Sequence, residues 1–230
     1  MKNISTYFKK GFELANKSLE LYFISALLLI LIILSRKLWL VSLIPTLLSV
    51  GFIFTLPVFL LKKYRKEDFD LKKVFSLSLS NLIRRLIIPV ILSLFAIGMV
   101  LGVVVVIISK ILSNLSFPAG TSSSILHLIP LIGLYLILPL LVFSTILFSI
   151  EKKGFFSSLN QSVSLSTKNF NFIIYVFVFD TAVSAANSFL VHAPNNIYML
   201  GEVLTQYVSF VVIASSLIYY IEVIKGKSKK

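Results

Sequence analysis

Long apolar runs interrupted by short basic connections leave this chain very few ways to fold. Leu38–Leu61, Leu86–Ser109, Ile125–Ile150, Phe170–Val191 and Met199–Ile224 are each almost free of charge. A hydrocarbon layer about 30 Å thick is crossed by roughly 20 helical residues. Backbone groups inside it find partners only in helices or closed barrels, so runs of this length predict an all-α integral membrane protein. A sixth run, Leu21–Leu34, is shorter. Lys2, Lys9 and Lys10 before it imitate a secretory signal, yet Ser35-Arg36-Lys37 follows where a cleavage site needs small residues. Only 13% of the residues are charged and mean hydropathy is +0.97, against a usual charged share of about 25% in soluble domains.

The placement of charge gives a direction. If all six runs span, 19 Lys and Arg residues fall on one side and 3 (Arg36, Lys37 and Lys110) on the other. The positive-inside rule then predicts both termini in the cytoplasm, at the cell membrane. That bias also argues for the short first run, because without it the first basic groups would oppose the loop from Lys62 to Arg85. The net charge of +13 would suggest nucleic acid in a soluble chain. Here it is absorbed by the connections, so the expected partners are the lipid bilayer and anionic headgroups, with a membrane protein as a further candidate and no nucleic acid.

The whole chain reads as one polytopic domain, residues 1–230, divided into three parallel helix-pair units of roughly 1–61, 67–150 and 151–224, with a basic tail at 225–230. A tetrapeptide heads each unit: KKGF at Lys9–Phe12, KKVF at Lys72–Phe75 and KKGF at Lys152–Phe155. Each lies in an amphipathic stretch expected to form an interfacial helix, with Lys9, Lys10, Lys72, Lys73, Lys152 and Lys153 at the membrane surface. The expected apolar faces are Ile4, Phe8, Phe12, Ala15 and Leu19 in the first; Leu71, Phe75, Leu79, Leu82 and Leu86 in the second; and Phe155, Phe156, Leu159, Val163 and Phe170 in the third. Two spans per unit return the chain to its starting side, which makes the units parallel and a pseudo-threefold six-helix bundle the natural packing.

The stretch EKKGFFSSLNQSVSLSTKNF at Glu151–Phe170 and the ending LIYYIEVIKG at Leu217–Gly226 resemble elements of the six-helix membrane domain of glycerophosphoryl diester phosphodiesterases and its stand-alone relatives. At the ending, the tyrosine pair is followed by Ile221-Glu222, where the family pattern has an acid closer to the pair and then an arginine. The resemblance implies a membrane module, with catalysis, where present, in a separate phosphodiesterase domain for which these 230 residues leave no room.

Asp180 is the ionisable residue deepest in a span, and such residues are costly in lipid. It shares a helical face with Ser184 and Asn187, and the next span repeats those intervals with Glu202, Gln206 and Ser209. A polar seam between the last two helices is expected. It serves either as a cation- or proton-linked path or as a tie between helices through a neutral, hydrogen-bonded acid. His192 with Glu202 makes only an incomplete metal site, and His127 fits an interfacial residue. Gly98 with Gly102 and Ala182 with Ala186 have the spacing that lets helices approach closely. Cysteine is absent, and no phosphate loop, nucleophile elbow, zinc-protease motif or carboxylate dyad is present. The expectation is therefore a module without catalytic residues, metal or cofactor that organises lipid or a membrane partner, the alternative being a small transporter or channel around Asp180.

Overall fold

The computed structural model describes residues 4–35, 37–89, 91–92, 99, 102–103, 106–107, 110, 141–188 and 195–226. Every regular element among them is a helix. In chain order these are α1 (Ile4–Asn16), α2 (Leu19–Ser35), α3 (Trp39–Ile53), α4 (Leu56–Tyr64), α5 (Leu71–Asn81) with a π-helical turn (Leu82–Leu86), α6 (Ser144–Ser149), α7 (Phe155–Lys168), α8 (Phe170–Ser188), and α9 (Asn195–Tyr219) with a second π-helical turn (Tyr220–Lys225). Most of the runs Leu86–Ser109 and Ile125–Ile150, with His127, His192 and Gly98, lies outside the described residues.

Among the described residues one helix, Ile197–Lys225, is long and apolar enough to cross a membrane unaided. Two further candidates are bent pairs: α1 meets α2 at 81°, and α3 meets α4 at 41°. Counted as single spans, they bring the total among the described residues to three, and Phe170–Val183 is a shorter apolar helix.

The bends have local causes. At the first, the Ser18 N–H donates to Ala15 O at 3.0 Å, a tightened closure that turns the chain. At the second, Pro57 lies in the first turn of α4, where its missing N–H is harmless. The Thr55 hydroxyl donates to Gly51 O at 2.7 Å and accepts from Asn81 Nδ2 at 3.3 Å, tying the bend to α5. After α4, Lys66 adopts φ 60° while Glu67 N–H donates to Lys62 O and Lys66 N–H to Lys63 O. This is the helix ending normally closed by glycine. Asp70 then caps α5 by accepting from Lys72 N–H at 2.9 Å.

The three expected short helices are present as α1, α5 and α7. Two of them pack on a helix of the preceding stretch of chain, α5 on α3 and α7 on α6, while α1 packs on α9, far along the chain. The α1 contact is lengthwise and antiparallel. Tyr7 meets Tyr219 edge-on at 5.1 Å, Gly11 abuts Ser215, and Asn16 Oδ1 accepts from the Tyr207 hydroxyl at 2.7 Å. At the centre, Phe172 stacks on Tyr219 at 4.1 Å and on Phe143 at 6.0 Å.

The expected apolar faces of the short helices are only partly buried in the protein. In α1 the buried residues are Tyr7, Gly11, Leu14 and Ala15, followed by Ser18, whereas Phe12 is 50% exposed. In α5 they are Val74 and Ser78, with Leu71, Phe75 and Leu79 exposed. The expected Leu82 and Leu86 are buried, in the π-helical turn that follows. In α7 Phe155 is buried as expected, but Ser158, Ser162 and Ser166 line the inward face while Phe156, Val163 and Phe170 lie outside. Close helix approach selects small side chains for the inward face. The tetrapeptides are also not equivalent. Phe12 and Phe75 are exposed within or at the start of their helices, while Phe155 is buried and opens α7 after Gly154.

Candidate functional site

The expected seam is divided. Asp180 is half-buried on α8, and among the described residues no hydrogen bond or ion pair reaches it. Ser184 and Asn187 belong to α8, but their side chains lie outside the described residues. On α9, Glu202, Gln206 and Ser209 are half-buried. Gln206 turns to α2, donating to Ser25 Oγ at 2.5 Å, and beside it the Tyr22 hydroxyl donates to Val203 O at 2.9 Å. The described part of the seam therefore joins α9 to the first unit. Spacing along α9 does not carry which helix packs against this face.

The expected close-packing sites are also displaced. Gly102 has open space around it among the described residues, and Ala182 and Ala186 are exposed. Gly11 supplies the close approach instead: a Cβ built there would fall 2.0 Å from Ser215 Oγ and 2.7 Å from its backbone N and Cα. Gly51 does the same on α3, where a Cβ would lie 2.8 Å from Ser78 O. Gly11-x-x-x-Ala15 carries the small-residue spacing and was the available signal.

The six expected surface lysines differ in what they touch. Lys9, Lys72, Lys73 and Lys152 are exposed. Lys10 pairs with Glu222 at 2.5 Å, and the Tyr64 hydroxyl donates to the same carboxylate oxygen at 3.0 Å. Lys153 hydrogen-bonds Gln161, while its backbone oxygen accepts from Arg85 at 2.8 Å. Arg85 also lies over the Phe148 ring at 4.1 Å, binding the start of the second unit to the approach of the third.

Three acids clamp helix ends together, a role that the sequence reading does not assign to them. Glu20 pairs with Lys63 at 2.7 Å, joining α2 to α4. Glu222 joins the final turn to α1 and α4. Glu151 accepts from Lys225 Nζ at 2.7 Å and from the Tyr220 hydroxyl at 3.1 Å. The Lys225 ammonium, followed by the Tyr220 hydroxyl, holds the Glu151 carboxyl below its ordinary pKa against the opposing effect of burial. Tyr219 OH adds a bond to Asn169 Oδ1 at 3.0 Å, so Glu151–Phe170 and Leu217–Gly226 lock together. The usable signal was the position of Glu20, Glu151 and Glu222 at the ends of apolar runs. Chemically, Glu20, Glu151 and Glu222 hold helix ends together through Lys63, Lys225 and Lys10, while the exposed Lys9, Lys72, Lys73 and Lys152 can attract anions. No family model, curated protein or solved structure matches the chain.

Proposed function

We propose that the chain is a six-span membrane protein with cytoplasmic termini, acting without catalysis as a module that organises lipid or a membrane partner at its basic face. The observation that carries this reading is the outward apolar surface. On α2, Phe23, Leu27, Leu31 and Leu34 are all exposed along one face, as are Phe170, Ile174 and Val178 on α8. Phe12, Phe75 and Phe156 project from the short helices in the same way. A surface of this kind is unstable in water and ordinary against lipid. Lysines beside the apolar faces of α1, α5 and α7 place these helices at the level of anionic headgroups. The resemblance to the phosphodiesterase membrane domain belongs to the same proposal and adds no activity to it.

Cysteine labelling tests the topology, since the chain has no cysteine of its own. Ser122→Cys is expected to react with an impermeant maleimide from outside. Ser164→Cys, on an exposed position of α7, is expected to react only after permeabilisation. The reverse pattern refutes the orientation, and external labelling of both refutes the span count. Ser158 is unsuitable because it is fully buried.

A second reading, a small transporter or channel, is favoured by the absence of a described partner for Asp180. Asp180→Asn separates the two: it keeps shape and hydrogen bonding but removes the titrating group. The organising reading expects stability and phenotype to be retained. A stable variant with no function supports transport.

A further inference from the structure

The ends of α4, α6 and α9 meet at the basic face around a cavity of about 190 Å³. Leu61, Ile150 and Ile221 form apolar walls, and Arg65, Lys225 and Tyr220 supply polar groups. The space equals roughly six water molecules, enough for a phosphate with its glycerol. The two cations are held differently. Lys225 is fixed by Glu151 at 2.7 Å, whereas Arg65 reaches Glu67 of its own loop only at 4.0 Å. The Arg65 guanidinium is thus largely uncommitted, and its planar fork matches phosphate oxygens. In sequence, Lys62 and Lys66 lie on either side of it, with Glu67 and Asp68 following.

We propose that this cavity binds the phosphate group of an anionic glycerophospholipid, with Arg65 as the forked contact and Lys225 as a second cation positioned by Glu151. The apolar walls accept the glycerol side of such a headgroup, a feature with no use for inorganic phosphate alone. The inference rests on the membrane reading above, which sets this end of the molecule at headgroup level.

The test uses the full chain in a neutral detergent, titrated with short-chain phosphatidylglycerol, short-chain phosphatidylcholine and inorganic phosphate. Saturable binding of phosphatidylglycerol, tighter than the other two, is expected. Arg65→Gln is expected to weaken it about five-fold or more, the order of one cation's contribution at an anionic surface. Lys168→Gln removes the same charge from an exposed position in the last turn of α7 and is expected to leave binding nearly unchanged. Equal losses in the two variants would mean diffuse attraction and overturn the site, as would inorganic phosphate binding as tightly as the lipid. Lys225→Gln also releases Glu151, so it is read only after its unfolding temperature matches the parent. Retention in alkali-washed membranes tests the membrane reading separately: failure there removes both proposals, while failure of the titration alone removes only the site.

Discussion

Replacing Gly11 with alanine tests the α1–α9 contact most directly. In a solvent-exposed helix the change is favourable by about 0.5–1 kcal/mol, because alanine loses less backbone freedom on folding. In this protein the added methyl would sit 2.7 Å from the backbone N and Cα of Ser215 and 2.0 Å from its hydroxyl oxygen. The hydroxyl is itself committed, donating to Val211 O at 2.7 Å. Contact between non-bonded carbons is best near about 3.5–4.0 Å, so the two helices must separate by on the order of 1 Å. Overpacking of this kind costs about 1–3 kcal/mol. Steric cost outweighs the propensity gain, leaving a net destabilisation of about 1–2 kcal/mol. For a chain of this length that lowers the unfolding temperature by about 2–4 °C per kcal/mol, measurable by thermal unfolding in detergent. Ser215→Gly in the same chain removes the 2.0 Å clash but not the backbone one, and is expected to recover part of the loss. An unchanged or raised unfolding temperature for Gly11→Ala would refute the close approach of α1 to α9.

Two further outcomes are expected. Lys66→Gly places the residue that tolerates φ 60° where lysine now pays for it, and is expected to raise stability by about 1 kcal/mol in the same assay; a loss would mean that the lysine side chain contributes more than the turn costs. Glu151 titrates below its ordinary value because of Lys225, so its contribution is complete above the unfolded carboxylate pKa and disappears as pH falls through the lower folded value. The unfolding-temperature gap between the parent and Glu151→Gln is therefore expected to be constant near neutrality and to shrink below about pH 4. Because Lys225 is about half exposed (49%), the gap is expected to stay at or below about 1 kcal/mol. A gap that grows in acid would reverse the sign of the argument.

The helical character of the chain, its membrane-capable last helix and the existence of three short amphipathic helices are all written in local sequence. Apolar length and 3.6-residue periodicity depend only on neighbours along the chain. The helix start at Asp70 is local in the same sense, with its carboxylate three positions before Lys73 and within reach of the Lys72 amide. The bends at Ser18 and Thr55 are less legible, because the apolar runs continue through or resume directly after them. Only hydrogen bonds to Ala15, Gly51 and Asn81 mark where the helix direction changes.

Periodicity specifies stripes on a helix; it does not specify what each stripe meets. Ser158, Ser162 and Ser166 form one such stripe on α7, Phe156 and Val163 lie on another, and Phe170 opens α8. Tertiary structure decided that the serines face inward, where Ser162 Oγ accepts the Phe143 N–H, and that the phenylalanines face outward. It also sent Gln206 to Ser25, and it brought Glu222 to Lys10 across 212 residues of chain. The physical reason is the same in each case. On the membrane reading proposed above, the surroundings are as apolar as the side chains, and burial of hydrophobic groups no longer selects the inward face. Steric fit between backbones and the pairing of the few polar groups select it instead, and both require the partner helix to be in place.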